Sequence, residues 1–596
     1  MEKIENFGKG WHYYTENGLF IVLLAFYPLI HFNQGLDVSD TSYSLVNFQY
    51  FPSADGTWMV ATYLANAAGW LLTKLPKGDS LVGMNFYTGL IVSFFALLCY
   101  FILRKKMPAW IVFTGEMLAI GLCWCPTVIL YNYLTYVLMG LGILLLHKGI
   151  CTKDEDSARR YLLFAGVCLG ANVAVRMPNV LQAAFILGLW YGRWLDKEPL
   201  SRTIHDTGVS ILGYLVGFGI PFLSICKKYG WGAYPAMVGE LFAMTDKAVD
   251  YQPLSMLTGM FGDYWSGLYW LAFAAVCVSG FYGLYWINDS LRKQKSPWLY
   301  RILCAVVCGV LVRFYWGRGM FEFQYYNYRG IYQWAVLFLL LTIFCAVAVL
   351  LSTRSSLEEK TFALLMLLQL LITPIGSNNA LYPIINNLFL AAPFTLWTIW
   401  RAYSLTRDKE NHFPWKIMVL AICVMMLIQS VAFHFQFVFL DGVWGEKRDT
   451  LLTEVPKAEG IYTNRENAEL LSELARYAKE QELAGREVIL YGEIPGLSYF
   501  LDMPPAISTS WPDLDSYRMA RFEQDMELVA EQKPVVIVSA AIAAYRGEDA
   551  KAYQWFGVDE EKYDADEKLQ LLLRFLDTYD YQETFCNMRY AVYEAL

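Results

Sequence analysis

The sequence predicts an α-helical polytopic membrane protein with a C-terminal extracytoplasmic α/β domain. Three observations carry this. Of 596 residues, 56% are hydrophobic and only 17% are charged, against about 25% charged in ordinary soluble domains. Apolar runs near the length of a bilayer crossing recur along the first 440 residues. The net charge of −8 divides unevenly: residues 441–596 hold 16 Lys/Arg and 31 Asp/Glu, a net of −15, and the rest of the chain is +7. This composition excludes a disordered, collagenous or nucleic-acid-binding chain, each of which needs a polar or basic sequence.

Residues 1–440 form the predicted transmembrane domain. About thirteen spans are expected, near 18–33, 81–103, 108–127, 128–146, 161–177, 178–195, 207–225, 266–287, 301–317, 331–352, 361–378, 387–403 and 417–440. The first run has no small-residue cleavage site and reads as a retained span. Pro126 and the polar Tyr131-Asn132 predict a tight turn inside 108–146. With the N-terminus in the cytoplasm, the inner loops carry 22 Lys/Arg and the opposite side eight, with Arg313 inside a span. That bias sets the orientation in the plasma membrane. An odd number of spans then leaves residues 441–596 outside.

Two loops on the outer side are long. The first, 34–80, opens on Gly35-Leu36-Asp37-Val38-Ser39-Asp40-Thr41-Ser42-Tyr43, and its 57–75 segment has the spacing of a helix lying along the interface. The second, 226–265, carries Lys227, Lys228, Glu240, Asp246, Lys247, Asp250 and Asp263 among aromatics.

The acidic tail has mixed α/β patterning. Asn464 is placed to cap a helix whose apolar face runs through Leu470, Leu471, Leu474 and Tyr477. Val488–Tyr491 and Pro534–Val538 read as buried strands, 567–578 as a helix, and Tyr590–Tyr593 as an alternating strand. Most of the twelve Cys lie in apolar runs, where thiols behave as small hydrophobes; neither a zinc site nor a redox pair is implied.

Candidate chemistry rests on polar groups that lipid tolerates poorly. Asp37 and Asp40 suit a general base or a metal ligand, and equally the capping of the next helix. Arg176, in Ala174-Val175-Arg176-Met177-Pro178-Asn179, stands with Arg313, Arg318 and Arg329 on the outer half. A guanidinium suits a phosphate in a low-dielectric setting, and also suits lipid head groups or loop acids. The segment Thr373-Pro374-Ile375-Gly376-Ser377-Asn378-Asn379-Ala380-Leu381-Tyr382-Pro383, followed by Asn386-Asn387, is broken, amide-rich backbone, which is tolerated where it lines a cavity or packs on protein. Glu116 is a lone acid in the third run, close enough to its cytoplasmic end to be solvated. His31 and His434 are too isolated to be ligands. There is no Walker loop, no dinucleotide fingerprint and no zinc-protease motif.

With its many spans, acids in the first outer loop (Asp37-Val38-Ser39-Asp40, then Tyr43), an amphipathic segment after them and a C-terminal outer domain, the chain resembles the GT-C glycosyltransferases. Within them it is most similar to the bacterial protein mannosyl- and aminoarabinose-transferase-like branch. That branch has adjacent acids followed by an aromatic, whereas here the acids are three apart. The segment Tyr491–Phe500 resembles the strand-to-helix step of such outer domains. The resemblance implies a transferase that moves a sugar from a polyprenyl-phosphate donor to a glycan, lipid or protein acceptor. Asp40 or Asp37 would be catalytic, and Arg176, Asn179, Arg313, Arg318, Arg329, Tyr43 and Asn378 would bind substrate. No resident cofactor is implied, although an acidic pair could hold a divalent metal. A flippase for a lipid-linked glycan and a non-catalytic envelope scaffold remain compatible with the same residues.

Overall fold

The structure, a computed structural model, describes residues 14–51, 53, 56–244, 253–288, 297–327, 329–405, 415–443, 445–547 and 554–595. All thirteen apolar runs are helical. Among the described residues, eight helices are long and apolar enough to cross a membrane: Leu81–Leu103, Leu130–Cys151, Glu155–Val175, Leu200–Tyr229, Ser255–Ile287, Trp298–Trp316, Arg329–Leu351 and Met418–Gln436. Thr15–Leu29 and Ala109–Leu122 are shorter apolar helices. The runs at 178–195, 361–378 and 387–403 contain Ile186–Leu195, Leu357–Ile372 and Ala391–Leu405. Length and composition therefore do not by themselves carry a count of thirteen spans.

Local sequence sets the breaks. The turn between 122 and 130 contains Pro126, after a cis peptide bond. Pro178 ends the Glu155–Val175 helix, and a 3-10 stretch, Met177–Phe185, precedes Ile186–Leu195. The second long loop is largely helical: Ala233–Met244 is one helix, and Pro253–Ile287 begins inside it. Asp246, Lys247 and Asp250 lie outside the described residues. The 57–75 segment is two helices, Gly56–Ala61 and Tyr63–Leu72, parted at Thr62.

Glycines hold the closest helix pair. Gly166 and Gly170 face Gly213 and Gly217, and a Cβ on any of them would strike the partner helix backbone. Small residues four apart on both helices let backbones approach where burial from water cannot drive association. Glu116 is not solvated: it is fully buried, beside Cys99, with no hydrogen-bond partner on either carboxylate oxygen.

Among its described residues, the C-terminal domain has six strands: β1 (Thr450–Leu451), β2 (Tyr462–Thr463), β3 (Val488–Tyr491), β4 (Val535–Ser539), β5 (Tyr581–Cys586) and β6 (Tyr590–Ala595). β1 and β2 pair alone; the other four form one sheet in the order β3-β4-β6-β5. β3 and β4 are parallel, and the remaining pairs are antiparallel. Alternate residues divide the core in two. Val488, Leu490, Val535 and Ile537 pack with Leu471 and Leu474 of the Arg465–Glu480 helix. Ile489, Tyr491, Val536 and Val538 pack with Phe522, Leu572 and Leu576. Both faces are covered, so these strands read as continuous apolar runs rather than alternating ones.

The first of those cores does not stop at the domain boundary. Leu36, Val38, Leu45, Leu81 and Met84 belong to it. Backbone bonds add to the seam: Gly35 N–H to Tyr462 O at 2.9 Å, Tyr462 N–H to Asn33 O at 2.8 Å, and Gly496 N–H to Val38 O at 2.8 Å. A Cβ at Gly496 would meet Ser42 and the Val38 carbonyl, so this turn sits against the first loop only as glycine.

Candidate active site

The helix Asp40–Tyr50 begins at the seam between the first loop and the C-terminal domain. Its first amides need acceptors. Asp37 supplies them: Oδ2 accepts from Thr41 N at 2.7 Å, and Oδ1 accepts from Ser39 N at 2.8 Å and Ser39 Oγ at 2.6 Å. Ser42 Oγ also donates to the Asp37 carbonyl. Asp37 is 4% exposed. Its carboxyl is raised from its ordinary value by burial, against which these hydrogen bonds pull down.

Asp40 differs in every respect. It is exposed, and no hydrogen bond to its carboxylate exists among the described residues. The protein around it limits hydration, and the charges of Asp37 and Glu493 add to this; together they raise its carboxyl from 3.8 to about 6. Three residues apart in sequence, one Asp is a structural cap and the other an available carboxylate poised near neutrality. The pair makes a poor metal cage, because three donors already occupy both oxygens of Asp37. Among the described residues, no group of three or more His, Cys, Asp or Glu is placed to hold a metal ion.

Glu493 was not legible as a site residue. It stands in the Tyr491–Phe500 step, in a left-handed conformation with φ 60°. Asp513 Oδ2 fixes that turn by accepting from Glu493 N at 2.7 Å and Gly492 N at 3.2 Å. Tyr43, one turn beyond Asp40, stacks edge-on with Trp511 of the domain at 5.5 Å. Its hydroxyl bonds Thr509 and Asn47.

The arginines fall into two places. Arg176 Nη2 donates to Gly376 O at 2.7 Å, and its guanidinium lies 5.8 Å from the Tyr131 ring. This bond joins the 176–179 break to the 373–379 break, where Asn378 is exposed. Asn179 is engaged elsewhere: its amide donates to Thr135 Oγ1 at 2.9 Å and Asn172 O at 2.9 Å, inside a buried network. Arg313, Arg318 and Arg329 gather at one turn. Arg313 Nη1 lies against Gly317, Arg329 Nε lies against Gly319, and Arg318 covers the Phe314 ring at 4.7 Å.

Aromatic contacts run between the first loop and this turn. Gly35 abuts Val438. Next to it, Phe439 packs with Trp124 at 5.3 Å, Trp124 with Tyr382 at 5.5 Å, and Tyr382 with Tyr332 at 4.6 Å. Tyr332 is one turn from Arg329; it donates to Asp263 and accepts from Leu381 N at 3.3 Å. Trp124 and Tyr332 carry no sequence signal beyond general aromatic richness, whereas Tyr382 lies in the broken segment that begins at Thr373. No described interaction links Asp40 directly to any of the four arginines.

No family model matches the chain, and no curated protein matches it. Among solved structures it is similar to the oligosaccharyltransferase of Archaeoglobus fulgidus in complex with Zn and sulfate (12% identity, 97% of this chain and 73% of that chain, TM-score 0.43). The same enzyme tethered to an acceptor peptide containing the NVT sequon is similar at 12% identity, over 98% of this chain and 74% of that chain, with TM-score 0.43. ArnT from Cupriavidus metallidurans, bound to undecaprenyl phosphate, is similar at 10% identity over 98% of both chains, with TM-score 0.42.

Proposed function

We propose that this chain is a membrane glycosyltransferase that moves a sugar from a polyprenyl-phosphate donor to an acceptor hydroxyl, with Asp40 as the general base. The observation that carries the reading is the contrast within Asp37-Val38-Ser39-Asp40. Only Asp40 has an open carboxylate, and its proton affinity is raised toward the pH at which a base works best. Asp40 takes the proton from the acceptor hydroxyl. The hydroxyl oxygen forms the new bond to the anomeric carbon as the bond from that carbon to the phosphate oxygen breaks. The electron pair leaves with polyprenyl phosphate, and the proton rests on Asp40.

The Arg313, Arg318 and Arg329 turn would hold the phosphate, whose charge grows as it leaves. Arg176 would act by holding the Gly376–Asn379 backbone. The domain-bearing face is taken as the outer one, from the Lys/Arg bias of the loops. Cys586 is exposed on the domain and tests this: a membrane-impermeant maleimide should label it in intact cells. Protection until lysis would reverse the topology.

The deciding experiment supplies the reconstituted chain with a panel of polyprenyl-phosphate monosaccharides and reads released polyprenyl phosphate. Release with wild type and its loss in Asp40→Asn, at unchanged expression, is expected. Full release by Asp40→Asn would sink the assignment. Label crossing the vesicle with no lipid phosphate released would favour a flippase.

A further inference from the structure

A second cavity lies along the stripe of the Asp40–Tyr50 helix that carries Asp40. Residues 40, 43, 47 and 50 fall on successive turns of one face. From Asp40 to Asn47 the rise is about 10 Å. Beyond Tyr43 and Trp511, the helix and the C-terminal domain enclose a cleft of about 390 Å³, within the roughly 300–1,000 Å³ typical of small-molecule sites. Asn47 and Tyr50 form one wall, and Ser508, Ser510, Arg521 and Asp525 belong to the other.

The second wall is built rather than incidental. Asp525 is 4% exposed, and its Oδ2 accepts from Ser508 N at 2.9 Å and from the Ser508 and Tyr517 hydroxyls. Its Oδ1 faces Arg521 Nε at 3.1 Å. Ser510, 4% exposed, lines the cleft with a hydroxyl that has no hydrogen-bond partner. A buried polar atom without a partner costs about 1–3 kcal/mol, so this wall carries an unmet hydrogen-bond demand beside the cleft.

We propose that the cleft binds a neutral sugar ring. As an acceptor subsite, in which a glycan presents one hydroxyl to Asp40 and seats a neighbouring residue here, it rests on the glycosyl-transfer reading. As a sugar-binding cleft it does not. The lining favours this class. Glu487 and Asp525 outweigh the one guanidinium, which disfavours a phosphate. Hydroxyl, amide and guanidinium groups beside a tyrosine ring match the alternating hydroxyls and C–H face of a pyranose. A peptide has no free strand edge to extend, because β3 already pairs with residues 504–506: Val488 N–H to Pro504 O and Ala506 N–H to Val488 O, both 2.9 Å.

The test is saturation-transfer difference NMR on the full chain in nanodiscs, prepared without glycoside detergents. The probes are millimolar methyl α-mannopyranoside and methyl β-galactopyranoside. Transfer to at least one is expected. In Ser510→Ala and in Arg521→Met, each shown folded by its elution profile, binding should weaken about three- to tenfold, the loss of one net hydrogen bond. Asp525 keeps its Ser508 and Tyr517 donors in Arg521→Met, so the wall persists. Transfer retained in Asp40→Asn supports the cleft whether or not that variant turns over, which separates this inference from the catalytic one. No transfer beyond that to empty nanodiscs, or equal transfer in both variants, overturns it. So does stronger, variant-sensitive transfer to a Gly-Ser tetrapeptide.

Discussion

At the end of the helical bundle away from the C-terminal domain, charged side chains meet one another. Arg193 and Asp206 form an ion pair at 2.7 Å, with their side chains 2% and 3% exposed. Arg202 bonds Glu198 at 2.6 Å, Lys106 reaches Glu358 at 2.6 Å, and Arg401 pairs with Glu359. At the domain-bearing end, the exposed carboxylates of Asp40 and Glu493 lie near enough for the charge of Glu493 to raise Asp40, with no cation paired to them among the described residues. Charges satisfied by partners hold a fold. Like charges kept close and open to solvent oppose it, and persist where a reaction uses them.

The largest expected effect separates these two ends. Asp40→Asn should lower transfer by about 10²–10⁴-fold, the usual worth of a general base, and leave the thermal midpoint no lower than that of wild type. Arg193→Ala should do the opposite. It removes the nearer cation of a buried carboxylate and leaves Asp206 only Arg202 Nε at 4.0 Å, which destabilises by up to about 3–5 kcal/mol, while the fraction that folds keeps its specific activity. Thermal unfolding followed in detergent, with transfer measured per folded molecule, reads both. If Arg193→Ala lost activity at unchanged stability, the division between the two ends would fail.

The sequence made the broad architecture legible and half of the site. Span runs, the Asn464 cap, the 567–578 helix and the Val488–Tyr491 strand were readable because apolar periodicity and capping are local. Asn464 Oδ1 does accept from Asn467 N, at 2.7 Å. Asp37 and Asp40 were legible as a pair but not as opposites. Their division of labour depends on which carboxylate meets the amides of Ser39 and Thr41, a matter of backbone turn rather than spacing. Glu493 is 453 residues from Asp40, and nothing local in Tyr491–Phe500 marks it. Asn179 illustrates the converse: its position beside Arg176 suggested substrate binding, while its amide is engaged by Asn172 and Thr135.

The pH profile gives a smaller effect at the same end. A base must be ionised, so transfer should rise with pH and level off above the Asp40 value of about 6. Below that value, each pH unit leaves about tenfold less of the base ionised, so the rate at pH 5 should be about a tenth of the plateau. A profile flat from pH 5 to 8 would remove Asp40 as the base.

The smallest effect probes why Asp40 sits so high. Limited hydration by the surrounding protein is the first cause, and the charges of Asp37 and Glu493 follow. Asp37 is a poor probe of the charge, because replacing it also removes the helix cap, a change of about 1 kcal/mol. Glu493→Gln is cleaner. It keeps the shape of the side chain and leaves the Asp513 bonds to the backbone amides of Gly492 and Glu493 in place. With the like charge gone, ionised Asp40 is less opposed, so its carboxyl should titrate lower. The acid limb of the rate profile should then move below pH 6 by a fraction of a unit, because the limited hydration, the larger cause, remains. Added salt should produce a similar but weaker shift in wild type, since the two exposed carboxylates are partly screened by solvent ions. A limb that stays in place in Glu493→Gln would mean the domain contributes nothing to the reactivity of Asp40. A limb that moves up would mean that Glu493 stabilises the charge on Asp40, through a shared cation, rather than opposing it.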